Sequence, residues 1–90
     1  MTRNEIQSEI HLTANLVSSL LAKRPDDKDL LGVEKGLKRI TEMVARHWPL
    51  SPEDRKQINM GLYAVRALEG GPYGELPHML AKLDADLKRD

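Results

Sequence analysis

Cysteine and phenylalanine are missing from this 90-residue chain, and its only aromatic side chains are Trp48, Tyr63 and Tyr73. Without cysteine there is no disulfide and no thiolate ligand to staple the fold, so packing alone must hold it. With so few aromatics the core must be built from Leu, Ile, Val, Met and Ala. Neither sign of charge prevails: 14 Lys and Arg stand against 14 Asp and Glu, for a net charge of zero. A generic nucleic-acid binder carries a basic excess, so that class is not expected, and neither is a membrane-surface module. No apolar run approaches the roughly 18–20 residues of a transmembrane helix. The opening MTRNEIQSEI lacks the apolar stretch of a secretory signal, which makes the cytoplasm the expected compartment. The length suits a single helical domain over 1–90, with no room for a second core.

What is present is helical periodicity. Strand-like alternation is hard to find, so the spacing predicts an all-α fold, a compact antiparallel bundle of about four helices joined by short loops. The first is expected over Arg3–Lys23, with Ile6, Ile10, Ala14, Val17, Leu20 and Leu21 on one stripe and Pro25 as its stop. The second comes after Asp26 and Asp27, either of which can cap it, with Asp29 adding negative charge to the first turn. Its stripe is Leu30, Val33, Leu37, Ile40, Val44 and Trp48, and Pro49 ends it. Gly32 and Gly36 lie one turn apart on a flank of this stripe, at a cost of about 1 kcal/mol each relative to Ala. They are expected to admit a neighbouring helix or a partner.

The third helix opens on Ser51-Pro52-Glu53-Asp54, an N-cap, a first-turn proline and acidic residues. It is expected to run to about Glu69 and stop at Gly70-Gly71-Pro72. Within it, INMGLYAVRAL (58–68) shows apolar residues on two faces. Ile58, Gly61, Leu62, Val65 and Leu68 form the expected core face, and Met60, Tyr63 and Ala67 a second. A surface helix buries one face, so the second must meet the last helix, another subunit or a partner protein. The last helix is expected from about Glu75, with Pro77 in its first turn and a stripe of Leu76, Met79, Leu80, Leu83 and Leu87.

The inventory for chemistry is thin. His11, His47 and His78 form no metal-ligand spacing, and Gly70–Gly74 lacks the Lys-Ser/Thr of a phosphate loop. Acidic residues cluster at Asp26, Asp27, Asp29 and Glu34 and again at Asp84, Asp86 and Asp90. The first cluster reads as caps and solvated surface, with an acidic patch for a basic partner as its functional alternative. Glu34 and Lys38 make an i, i+4 pair in the favourable order. Lys35, Lys38, Arg39 and Arg46 read as the wet side of the second helix. No nucleophile–base pair emerges, so an enzyme is the least supported class, and no cofactor or metal is expected.

Three blocks carry a resemblance. They are the spacing of Ile10, Ala14, Leu16, Val17 and Leu20 before Pro25; the run Leu30-Leu31-Gly32-Val33-Glu34-Lys35-Gly36-Leu37; and Ile58-Asn59-Met60-Gly61-Leu62-Tyr63-Ala64-Val65-Arg66. Their most specific parts are Leu-Leu-x-x-Glu-Lys-x-Leu and Gly-x-x-Ala-Val. In these the chain resembles the small all-helical immunity proteins of bacterial type VI secretion. The similarity is to the family that neutralises an NAD(P)-glycohydrolase effector. It implies a non-catalytic protein that binds a cognate toxin and blocks its active site. The expected partner contacts are Met60, Tyr63 and Tyr73 as anchors, with Ala67 and Glu34 beside them and Asp26, Asp27 and Asp29 at the rim. Glu34 and Lys35 owe their interest to the resemblance alone. The competing expectation is a homodimeric adaptor closed by Met60, Tyr63 and Ala67. A helix-turn-helix regulator is disfavoured, since no basic recognition helix is seen.

Overall fold

The computed structural model describes residues 1–89, the Val65 side chain excepted. Among the described residues every regular element is helical: α1 (Arg3–Lys23), α2 (Lys28–Arg46), α3 (Pro52–Gln57), α4 (Met60–Tyr63) running into a π-helical turn (Ala64–Leu68), and α5 (Leu76–Lys88).

Local chemistry sets most of the boundaries. Thr2 Oγ1 accepts from the Glu5 amide and the Glu5 carboxylate accepts from the Thr2 amide, a reciprocal capping box. Asp27 Oδ1 caps α2 by accepting from the amides of Asp29 (3.0 Å) and Leu30 (3.1 Å). Ser51 Oγ accepts from the Asp54 amide at 3.2 Å, and Pro52 occupies the first turn of α3.

Helices α1 and α2 form an antiparallel hairpin. The short link after Lys23 joins them at one end, and at the other the Trp48 indole Nε1–H donates to the Met1 carbonyl at 2.9 Å. Helix α5 is also antiparallel to α1. Its approach, at Tyr73, is tied to Asp27 just beyond the end of α1, while Lys82, midway along it, reaches Glu9 near the start of α1. The segment from α3 to the π turn carries the chain back between these ends. The core is one cluster that draws Ile6, Ile10 and Val17 from α1, Leu30 to Val44 from α2, and Leu76, Leu80, Leu83 and Leu87 from α5.

The continuous helix expected over Pro52–Glu69 is broken. Ile58 is extended (φ −90°, ψ 121°), and Asn59 (φ −136°, ψ 28°) starts a new helix. Two causes act together. Helix α3 buries none of its residues, so nothing holds it in line with the turn that begins at Met60. Asn59 makes no side-chain cap; instead the Asp84 carboxylate of α5 accepts from the Gly61 amide at 2.9 Å. This satisfies a first-turn N–H from outside the helix.

The break mixes the two faces: Ile58 and Leu68 of the expected core face are buried, but so is Met60 of the second. Ala64 is buried as well, whereas Leu62, expected inside, is 52% exposed. The Val65 side chain, assigned to the same stripe, and Asp90 of the second acidic cluster lie outside the described residues. No helix among the described residues is long and apolar enough to cross a membrane.

Candidate functional site

The residues singled out from sequence fall into three groups. Tyr63, Tyr73, Asp27 and Asp29 meet at the N-terminus of α2. The Tyr73 hydroxyl donates to Asp27 Oδ2 at 2.8 Å, and the Tyr63 hydroxyl donates to Asp29 Oδ1 at 3.1 Å. Tyr73 is buried and Tyr63 half-buried. The loop before α5 makes this possible. Gly70 and Gly74 take positive φ (82° and 57°), and a Cβ on Gly71 would come within 2.8 Å of the Tyr73 ring.

The electrostatics arise from these bonds. The Tyr73 hydroxyl, and then the Leu30 amide, hold the Asp27 carboxyl below its ordinary value. The same contact raises the Tyr73 phenol, and burial together with Asp29 raises that of Tyr63. Asp27 and Asp29 are thus turned inward onto hydroxyls and a helix cap. Asp26 alone of this cluster is exposed.

Met60 is the second group, and it belongs both to the core and to an open groove. The groove holds about 120 Å³ between α2 and α4, and its walls are Gly32, Val33 and Gly36 on one side and Asn59, Met60 and Tyr63 on the other, with Leu80 beneath. The two glycines serve it differently. A Cβ at Gly32 would meet the Tyr63 hydroxyl at 3.3 Å, so Gly32 admits a side chain of this same protein. Around Gly36 there is nothing within 4 Å, so that position opens onto free space.

The third group stands apart. Glu34 lies on the opposite flank of α2, at a second shallow groove of about 150 Å³ against α1, with Ala14, Val17, Ser18, Leu37, Lys38 and Thr41. Ala67 sits in the π turn, half-buried against the core. His47 Nδ1 lies 2.6 Å from the Pro49 carbonyl, and His11 and His78 are exposed. Among the described residues no group of three His, Cys, Asp or Glu side chains could hold a metal ion.

A polar cluster missed from the sequence lies on the seam of α1 and α5. Lys82 Nζ is 2.9 Å from Asp86 Oδ2 and 3.4 Å from Glu9 Oε1, and Arg89 is 3.3 Å from Asp86 Oδ1. Burial, then Asp86, raises the Glu9 carboxyl; the Lys82 ammonium lowers that of Asp86. Glu9 Oε2 is buried without a hydrogen-bond partner among the described residues. Glu9 is half-buried, and both its loss of solvent and the nearby Asp86 carboxylate disfavour its charged form. Glu9 and Asp86 are 77 positions apart (86 minus 9) and on different helices, so no local spacing announces them.

The chain matches no protein-family model, no curated protein and no solved structure.

Proposed function

We propose that this protein is a non-catalytic immunity protein. It binds a cognate type VI secretion effector, an NAD(P)-glycohydrolase or another nucleotide-targeting toxin, and occludes its active site inside the cytoplasm. One observation carries the reading. Two of the three blocks of the resemblance, Leu30–Leu37 and Ile58–Arg66, supply the facing walls of a single open groove through Gly32, Val33, Gly36, Asn59, Met60 and Tyr63, positions that alternate with the more specific residues of those blocks. Opposed walls with an unfilled glycine position suit a protein whose work is to present a surface. The groove is too small for a substrate, since ligand pockets run to about 300–1,000 Å³. Inhibition of a toxin calls for a buried area of roughly 1,200–2,000 Å² around a few anchors.

The test is genetic and direct. The gene beside this one is expected to encode a toxin domain whose expression stops growth, and co-expression of this protein is expected to restore it. An unrelated neighbour, together with no rescue by this chain, overturns the reading.

A further inference from the structure

The net charge of zero conceals an uneven surface. Of the acids nearest the groove, Asp27 and Asp29 keep their charge but stand at the N-terminal end of α2, turned onto its cap and the tyrosine hydroxyls. Asp84 and Asp86 are buried and paired with Lys88, Lys82 and Arg89. The bases of α2 are not spent in this way. Around its axis, at about 100° per residue, Gly36 and Gly32 lie about 60° and 100° to one side of the buried Val33. Continuing past the groove, Arg39, Lys28, Arg46 and Lys35 come at about 120–160°. The first acid in that direction is Glu42, at about 180°. All four bases are exposed, and among the described residues no ion pair involves them. Arg39 does donate to Gln57, a neutral amide that leaves its charge uncancelled.

From Lys28 to Arg46 this stripe runs about 27 Å along the helix. The opposite wall is uncharged where it meets the groove, at Asn59, Met60 and Tyr63. Next to Tyr63 the side chain of Leu62 stands in solvent. An apolar slot with one cationic bank and one neutral, partly apolar bank selects the shape and charge of its occupant. An aliphatic side chain enters at Gly36 while carboxylates on the same segment lie over Lys35 and Arg39.

We propose that the groove between α2 and α4 docks an acidic amphipathic segment of a protein partner, with one aliphatic side chain seated over Gly36. The segment is the complement of the α2 stripe, opposite in charge to the basic partner that Asp26, Asp27 and Asp29 suggest from sequence. The inference names the partner chemistry of the surface used in the proposed function and rests on that reading only for the partner's identity.

The test uses the full-length, isotopically labelled protein and two short amphipathic helical peptides of identical leucine spacing. One carries glutamates and the other lysines on the flanking positions. The glutamate peptide is expected to shift the amide resonances of Gly32, Gly36 and Asn59, and the lysine peptide to leave them in place. Gly36→Leu places a side chain in the slot from a position where its Cβ meets no other atom, and is expected to abolish the shifts while the melting temperature holds. Lys35→Glu with Arg39→Glu is expected to weaken the glutamate peptide by about tenfold. Equal response to both peptides, no response to either, or stronger shifts from a single-stranded oligonucleotide overturns the inference. The outcomes separate it from the immunity reading. If the neighbouring toxin is neutralised equally well by Gly36→Leu and by the double charge reversal, the groove is not the docking surface and the function stands. If no toxin is rescued but the glutamate peptide binds, the function falls and the docking surface stands.

Discussion

Asp84 shows how much one side chain can settle. Its Oδ2 accepts the Gly61 amide at 2.9 Å, and its Oδ1 lies 2.9 Å from the Lys88 ammonium. Asp84→Ala removes the cap of α4 and is expected to cost about 1–2 kcal/mol in urea unfolding, the range for a lost helix cap. Asp84→Asn keeps an oxygen for Gly61 and should cost clearly less. If both cost the same, the Lys88 pair rather than the cap is what matters. Gly61 fits this role because a Cβ there would lie 3.4 Å from the Asp84 carboxyl carbon. Tyr63 is a less clean probe of binding than its position suggests. Its ring covers Gly32 and its hydroxyl holds Asp29, so Tyr63→Ala is expected to lower the melting temperature of the free protein. Leu62→Ala removes exposed apolar surface and leaves the core intact; it is the better test of partner binding at this helix.

Among the elements, α3 is the weakest. It is six residues long and contributes nothing to the core, so its amides are expected to exchange with solvent by local opening, well before those of α1 and α2. Exchange at the rate of α2 would show that α3 is coupled to the bundle. The long helices are legible in the sequence because their signals are local. The stripe of Leu30, Val33, Leu37, Ile40 and Val44 is buried as its spacing requires, although Trp48, expected at its end, lies past the last helical residue Arg46 and is half-buried; Asp27 and Ser51 cap where they stand in the chain. The break at Ile58 is not legible. Its amphipathic pattern reads through Asn59 without interruption, and the carboxylate that caps the restarted helix lies 23 residues downstream of Gly61. The candidate site divides in the same way. Gly32 and Gly36 stand out as costly residues in a helix, while the pairing of Asp27 and Asp29 with two distant tyrosines leaves no trace in local spacing.

At the scale of the whole molecule, the seam between α1 and α5 shapes stability against pH. Glu9 is raised above 4.5 when folded, so its contribution is complete below its unfolded value and is lost as pH rises through the folded one. Asp86 is lowered from 3.8, so its contribution is present above that value and is lost as pH falls through the folded one. Glu5 and Asp27 are lowered too and act in the same sense as Asp86. The two trends oppose each other, and the melting temperature is expected to peak on the acid side of neutrality. Glu9→Gln, which can donate to Asp86 at any pH, is expected to flatten the decline toward pH 7 and to melt higher there than the parent. An unchanged slope would remove Glu9 as its source. Sedimentation is expected to find a concentration-independent monomer, because Met60 is buried within the chain and Tyr63 is tied to Asp29. A dimer that dissociates on Leu62→Asp would restore the adaptor alternative.

The tyrosine bond to Asp27 also has a consequence in time. The cap on α2 needs only residues 27–30 and can form as soon as that stretch exists. Its Tyr73 partner is 46 residues further on, so the chain must close a long loop before the hydroxyl arrives. A contact made that late is expected to be largely missing from the rate-limiting barrier, so that its loss is felt on the way out rather than on the way in. Tyr73→Phe should therefore leave the refolding rate nearly unchanged and shorten the lifetime of the native state. The latch at the head of α2 is thus expected to govern how long the bundle stays folded, not how quickly it gets there.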